Sequence, residues 1–552
     1  MAKKKSTAER PVKRKELLNF LSQRNSYRHR PRTLSVSQTH ASYLSIAGPY
    51  VYKVKKTVNL GFLDFSTLEK RRYFCEREVF LNRRLCPHVH LGVCPIFRRS
   101  GKLTFEDGEE IVEYAVKMRK LEARYFLPQL LQRKAVGSRE LKRIVSCLVN
   151  FYKAQRPTDE IVSWGRIAKL RISTNENFRQ TKDFVGETVS QAAFEAVRFY
   201  TKQFYHCNIS LFEERVGGRR IRDCHGDLRL EHVHLSPRHL SIYDCIEFND
   251  RLRYIDWAND IAFLAMDFDY QGYRGFSASF THRMATALRD DGLLQLIDFY
   301  KCYRAYVRGK VESFQAAGAP EKQKKKNVSN AKHYFQLALH YAVCGSQPTV
   351  LVVMGRIASG KSTLAKSLGG ELGWEVLSSD RLRKNLAGVP AHTRGTVPER
   401  QHLYSAGMTR KTYQTLLRKA AELVRQHSSV ILDATFSQRR QRDRLRSAFE
   451  RAGIRYRFVE AYASDNVIRQ RLKSREKKAT EISDARLEDF RVLSGSYQAA
   501  SELPEGEFLR VSTAKTPELA AKQALKGLAA IYARGRTVLT VRARGRKLSR
   551  YR

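Results

Sequence analysis

The sequence predicts an α+β domain followed by an α/β domain with a parallel sheet, and three stretches carry that prediction. Between 35 and 60, SVSQTHASYLSIAG and YVYKVKKTVNL alternate around Gly48-Pro49, the pattern of an antiparallel hairpin. Residues 222–235, RDCHGDLRLEHVHL, gather three histidines and two aspartates before an apolar, β-like stretch. TVLVVMG (349–355) has the continuous apolar run of a buried strand and leads into GRIASGKST and a helical pattern, TLAKSLGGEL.

At 552 residues the chain is too long for a single core, so more than one domain is expected. A hydrophobic content of 42% and a charged content of 28% suit soluble folded domains and exclude a disordered chain. No uncharged apolar run approaches the roughly 18 residues of a membrane span, so no membrane partner is expected. The N-terminal MAKKKSTAERPVKRKELLNFL lacks the apolar core of a signal peptide, and its lysine clusters with Glu9 and Glu16 argue against a transit peptide. Nine cysteines without a CxxC pair indicate neither a zinc ribbon nor a disulfide framework, which points to a reducing, cytoplasmic setting. The net charge of +47 stands out. The basic extensions 1–32 and 534–552 supply 17 of it and leave about +30 on the folded body. Such a field favours polyanions, nucleic acid among them, although a solvated basic surface has the same composition.

After the hairpin, Phe74, Val79, Phe80 and Leu81 recur at helical spacing between Thr67 and Leu85. IVEYAVKMRKL (111–121) is a second strand pattern ending in a polar hinge. Helices are expected through 125–215, a short strand at LSIYDCIEF (240–248), and mostly helix over 253–315. AGAPEKQKKKNVSNAK (317–332) has the composition of an exposed junction. From Arg534 a basic tail with some β character closes the sequence.

Chemistry follows from the order of these pieces. Lys53 and Lys55 share a strand face, so either can meet the α/β-phosphates of ATP, and Glu78 or Glu76 in the next helix can pair with it. Asp227, in His225-x-Asp227, is placed as the base for an acceptor hydroxyl, and Asp244, ending the next strand, as the metal acid. A kinase-like loop carries Asn five residues after the base; here that position holds His232. Imidazole suits Mg²⁺ poorly and Mn²⁺ or Zn²⁺ better. The site therefore runs on one metal held by Asp244, uses Mn²⁺, or binds nucleotide without transfer. A two-histidine, one-carboxylate iron triad from His225, Asp227 and His232 or His234 is the competing chemistry, but it leaves Lys53, Glu78 and Asp244 without a role.

The second motif satisfies G-x-x-x-x-G-K-[ST] in a strand-to-helix context. Gly355, Arg356, Ile357, Ala358, Ser359 and Gly360 form a loop whose N–H groups turn toward phosphate, with Lys361, Ser362 and Thr363 opening the helix. Lys361 reaches the β/γ-phosphates, and the Ser362 hydroxyl ligates Mg²⁺. Asp380 is placed to take a proton from an acceptor and Arg383 to hold phosphate charge, although Asp380 also suits a helix cap. SSVILDATF ends in Asp433, a metal acid of Walker-B type. Arg471 and Arg475 lie four apart on one helix, where they would clamp the transferring phosphoryl group or form a solvated basic face.

Residues 349–533 resemble the small P-loop kinases, among them gluconate kinase, chloramphenicol phosphotransferase and the 5′-hydroxyl polynucleotide kinases. The Asp-x-x-Arg pair matches the last best. QTHASYLSI, VYKVKKTVNLGFLDFSTLEKRR, EVFLNRRL, CHGDL and YDCIEFNDRLRYIDWANDIAFLAMD resemble the aminoglycoside-phosphotransferase-like proteins. Within these, the resemblance is to a bacterial group with a C-terminal P-loop domain of AAA-type ATPase or small-kinase type. It spans about 25–500. It implies a two-lobed protein-kinase-like domain over 33–335 and an α/β P-loop NTPase domain with a parallel sheet over 345–533. It further implies ATP and Mg²⁺ as cofactors, and Asp260 as an acid steadying the catalytic loop. The expected activity is transfer of the γ-phosphate to a hydroxyl of an unidentified acceptor, a small molecule first among the classes. The alternatives are a nucleotide-binding switch with a pseudokinase first domain and a slow ATPase, and a 5′-hydroxyl nucleic-acid kinase acting through the C-terminal domain.

Overall fold

The computed structural model describes residues 12–61, 63–390, 401–476, 486–488 and 490–543, without the side chains of 475–476 and 535–543. Residues 1–11 of the N-terminal extension and 544–552 of the tail lie outside the described residues. The chain divides into two compact units, Met1–Lys169 with Phe212–Leu294, and Leu170–Leu211 with Gln295–Arg552.

In the first unit the hairpin pattern forms β2 (Ser42–Ala47) and β3 (Tyr50–Lys55), joined at Gly48, whose φ of +59° suits the tight turn. With β1 (Leu34–Gln38), β4 (His90–Arg99), β5 (Lys102–Thr104) and β6 (Glu110–Arg119) they make a six-stranded antiparallel sheet of order β1-β2-β3-β6-β4-β5. Alternation splits β3 between two faces. Tyr52 and Val54 enter a core with Leu21, Tyr27, Ile96 and Ala115. Lys53 and Lys55 take the opposite parity, the face on which Val116 meets Cys75 and Val79 of the Leu68–Arg83 helix. That helix starts at Thr67, whose hydroxyl accepts the Lys70 N–H.

Two short ladders carry the region around His225–Asp227: β7 (Ile221–Asp223) with β10 (Tyr254–Asp256), and β8 (Val233–Leu235) with β9 (Leu240–Ile242). The strand expected over 240–248 thus stops at Ile242, because Asp244 adopts φ +64° and breaks the extended run. Arg215, 4% exposed, ties this region together: it meets Asp256 at 2.7 Å and also pairs with Asp290.

The second unit holds a five-stranded parallel sheet, β12-β13-β11-β14-β15, from β11 (Thr349–Met354), β12 (Glu375–Ser378), β13 (Val430–Asp433), β14 (Arg455–Tyr462) and β15 (Phe508–Ser512). Every residue of β11 is buried, as its uninterrupted apolar sequence requires for a central parallel strand. The Gln191–Cys207, Glu321–Cys344 and Pro517–Ala543 helices pack on one another in the same unit. Two expectations fail here. Residues 321–332 are helical rather than an exposed loop, because Ala331, Tyr334, Phe335 and Ala338 recur at helical spacing and bury, while most of the lysines before them stay outside. From Arg534 to Ala543 the chain is helical, not β-like.

Replacing Arg215 with Met would leave Asp256 and Asp290 buried without their cation. We expect a loss of about 3–5 kcal/mol, read in the denaturant unfolding of the first unit.

Candidate functional site

The parity of β3 brings both lysines onto Glu78, which is 2% exposed on the inner face of the helix with Cys75, Val79 and Asn82. Lys53 Nζ lies 2.9 Å from Glu78 Oε1 and 3.2 Å from Asp244 Oδ1. Lys55 Nζ donates to Glu78 Oε2 at 2.7 Å and also to Glu247 Oε1. Depth separates the two: the Lys53 side chain is 17% exposed and that of Lys55 only 1%. Glu76 faces outward and pairs with Arg72 instead. Burial alone would raise the Glu78 carboxyl, but the two ammonium groups hold it below the usual carboxylate range. The Lys53 ammonium, against burial, likewise keeps Asp244 well below its ordinary value.

Gly226 has φ +87°, and a Cβ there would sit 2.9 Å from the Leu252 carbonyl, so the loop needs glycine before Asp227. Asp260, fully buried, accepts the His225 N–H at 3.0 Å, the Gly226 N–H at 2.9 Å and the Tyr152 hydroxyl at 2.9 Å. It is the loop-steadying acid that the family resemblance implied. His225 donates from Nε2 to the Tyr243 carbonyl at 2.9 Å and accepts the Asp227 N–H at Nδ1. Burial pushes this imidazole down to about 4, so it is neutral at pH 7.

Asp227 faces Arg229, which donates from Nε and Nη2 to its two oxygens at 3.1 Å each. His232 donates from Nδ1 to the Asp227 carbonyl at 2.8 Å, leaving Nε2 3.5 Å from Asp244 Oδ2 and 3.3 Å from Arg229 Nη2. Lys53, Glu78, Asp227, His232 and Asp244 thus share one site. Arg229 and Glu247 were not singled out from the sequence. The signal for Arg229 was a cation two residues past the base; that for Glu247 was an acid inside an apolar strand pattern.

The iron-triad chemistry does not fit. Both His225 nitrogens are engaged, and His234 gives Nε2 to the Glu122 carbonyl. Among the described residues no group of three His, Cys, Asp or Glu side chains is disposed around a metal position. A cation completed by substrate phosphates needs only one or two protein carboxylates, and Asp244, held ionised by Lys53, has the chemistry to be one.

In the second unit, Gly355 follows β11 with φ +149°, and a Cβ would fall 2.4 Å from the Ala461 carbonyl. Ala358 takes φ +51° and Gly360 φ +92°, turning the loop into the Lys361–Leu372 helix. The N–H groups of that helix start and its dipole form an anion site. Ile357 and Ala358 are pinned by Ile468, Leu472 and Phe490. Arg356 meets Asp465 at 2.9 Å. Ser359 is 1% exposed, its hydroxyl without a partner among the described residues.

Ser362 Oγ donates to Asp433 Oδ1 at 3.1 Å, across the β11–β13 register that pairs Val353 with Asp433. This pair of oxygens fits a Mg²⁺ shared with nucleotide phosphates. Burial pushes the Asp433 carboxyl up, with Lys361 opposing.

Asp380 lies in the first turn of the Ser379–Leu386 helix, not at its cap, and Arg383 Nη1 is 3.0 Å from it. Arg471 donates to Thr513 Oγ1 at 3.2 Å and to the Ala358 carbonyl at 3.4 Å, lying over the phosphate loop. Arg475 is on the same helix, Asp465–Glu476, but its side chain lies outside the described residues. A cleft of about 530 Å³ opens beside the loop, lined by Gly360, Thr363, Gln470, Arg471, Thr513 and Lys515. Thr513 and Lys515 escaped the sequence reading; their signal was the polar STAK following an apolar strand pattern.

The fold is a two-lobed, kinase-like α+β domain followed by an α/β domain with a P-loop. Residues 350–499 match the AAA domain family. Uncharacterized proteins of Mycobacterium tuberculosis and Mycobacterium bovis are 30% identical over 406 residues, covering 73% of this chain and 78% of theirs. The chain belongs to the family of these mycobacterial proteins.

Among solved structures, the GDP complex of aminoglycoside 2′-phosphotransferase-IIIa is 14% identical, with 55% of this chain and 93% of that one covered at a TM-score of 0.35. Mycobacterium tuberculosis APS kinase is 20% identical, with 33% and 98% covered at 0.25. A Sinorhizobium meliloti gluconokinase is 18% identical, with 36% and 99% covered at 0.24.

Asp433→Asn removes a buried charge while keeping the shape. Because burial raises the Asp433 pKa, the wild type carries the cost of ionisation only above that pKa. The variant is therefore expected to melt higher than the wild type at pH 8, by a margin that shrinks as the pH falls through the raised Asp433 pKa and vanishes below the ordinary carboxylate range, and to lose Mg²⁺-dependent nucleotide binding.

Proposed function

We propose that the chain is an ATP-dependent phosphotransferase with two nucleotide sites, one in a domain over 33–335 and one over 345–533. The observation that carries this is Lys53 bridging Glu78 and Asp244 beside Asp227. Strand, helix and two loops each contribute one charge to a place where phosphates, metal and an acceptor hydroxyl would meet.

Lys53 rather than Lys55 takes the phosphates, Asp227 is the base, and Asp244 holds Mg²⁺. His232 Nε2 is a second ligand for a borderline metal, which makes Mn²⁺ an alternative at this site. In the second site Gly355 to Thr363 cradle ATP, and Ser362 and Asp433 hold Mg²⁺. Asp380 acts as base, and Arg383, Arg471 and Arg475 bear phosphate charge. Catalysis in both is positioning and charge stabilisation. The acceptor is a small molecule with a free hydroxyl. No helix among the described residues is long and apolar enough to cross a membrane, and we place the protein in the cytoplasm.

One observation favours a second reading, a nucleotide switch with a pseudokinase first domain and a slow P-loop ATPase: Arg229 covers both oxygens of Asp227. A third, a 5′-hydroxyl nucleic-acid kinase acting through the C-terminal domain, draws on the Asp380–Arg383 pair and the net charge of +47.

The test is transfer from γ-labelled ATP to cell extract divided into small-molecule, protein and nucleic-acid fractions. Label in the small-molecule fraction that disappears with Asp227→Ala is the expected result. Label lost only with Lys361→Ala makes the P-loop unit the enzyme, and label in nucleic acid supports the third reading. Slow phosphate release alone, without a labelled product, supports the switch.

A further inference from the structure

Two buried charges next to the first site have no part in the transfer itself. Lys55 lies too deep to reach a nucleotide, its ammonium 4.7 Å from the centre of the Phe65 ring. Glu247, 7% exposed, lies three residues after Asp244 and accepts from Lys55.

The backbone around them is fastened repeatedly to the Leu68–Arg83 helix and to Arg253. The Cys245 N–H donates to Asn82 Oδ1 at 3.0 Å, Arg77 pairs with Asp250, and the fully buried Arg253 donates to the Ile246 carbonyl at 3.3 Å. Asp244 precedes this fastened run with φ +64°, a backbone state that persists only where its surroundings over-determine it. Along the network the charges alternate: Asp244, Lys53, Glu78, Lys55, Glu247.

Resting on the kinase-like reading of the first site, we propose that Lys55 and Glu247 are a positioning pair for metal and nucleotide. Glu247 anchors the segment that begins at Asp244 to β3, so that the Asp244 carboxylate is presented in one orientation. Lys55 occupies the second oxygen of Glu78. When phosphates draw Lys53 away from Asp244, Glu78 then keeps a full cationic partner in a buried place. A single-lysine strand would have to divide one ammonium between Glu78 and the nucleotide; here the tasks are split.

The test uses the full chain in a Lys361→Ala background, which silences the P-loop, and measures ATP affinity by calorimetry with Mg²⁺ and with EDTA. Glu247→Gln keeps the shape and an acceptor for Lys55. It is expected to weaken ATP binding in Mg²⁺ about tenfold, the usual effect of losing a partner that orients a ligand, with the EDTA affinity unchanged. Lys55→Met, which leaves Lys53 divided between Glu78 and the nucleotide, is expected to weaken ATP binding in EDTA as well as in Mg²⁺.

Equal weakening of Glu247→Gln in both conditions, or no change in either, overturns the positioning of Asp244, and an unchanged EDTA affinity in a folded Lys55→Met overturns the part given to Lys55. Thermal melting checks that each variant folds, and if Lys55→Met does not, Glu247→Gln decides. A Lys361→Ala parent that binds no ATP overturns the kinase-like reading and the pair with it. A parent that binds with an unchanged Mg²⁺ response in Glu247→Gln overturns the pair alone.

Discussion

A carboxylate buried at Glu78 is the constraint on which the first site depends. An ionised acid taken out of water is tolerable only if it is paired and hydrogen-bonded, and here two ammonium groups from one strand serve it. That requirement fixes the helix against the sheet and the depth of both lysines. Through Lys53 it also fixes where Asp244 sits. Removing Glu78 would take away the carboxylate the two lysines share, leaving Lys53 only Asp244 and Lys55 only Glu247, so the site and the packing of the first unit share one determinant.

The two candidate sites assemble their charge in different ways. The first gathers side chains from separate elements, with Lys53 from a strand, Glu78 from a helix and Asp227 and Asp244 from loops. The second relies more on backbone, a helix start shaped by Gly355 and Gly360, to which Ser362–Asp433 ties a neighbouring strand and Arg471 a second helix. The first therefore depends on long-range packing and the second more on one local turn and its neighbours.

That difference decides how much could be read from the sequence. The phosphate loop was legible because its residues are contiguous and its strand and helix carry their own periodicities. Asp433 followed from the next apolar strand ending in an acid. In the first site the convergence of lysine, Glu78, Asp227 and Asp244 was legible from their order, but the choice between Lys53 and Lys55 was not. A period of two puts both on one face, and only depth in the fold separates them. Glu78 over Glu76 could have been chosen, since Cys75, Glu78, Val79 and Asn82 keep helical spacing. Arg229 and Glu247 act through contacts across the chain that no local pattern announces.

The stretch taken as a junction from its composition has a consequence for handling the protein. Lys322, Lys324, Lys325 and Lys326 look like an ideal tryptic site, yet they lie within the Glu321–Cys344 helix. Proteolysis needs a locally opened backbone, and this helix is held by buried Ala331, Tyr334 and Phe335. Brief trypsin treatment will therefore not part the halves at their most basic segment, and a fragment designed to begin there would start by cutting a packed helix.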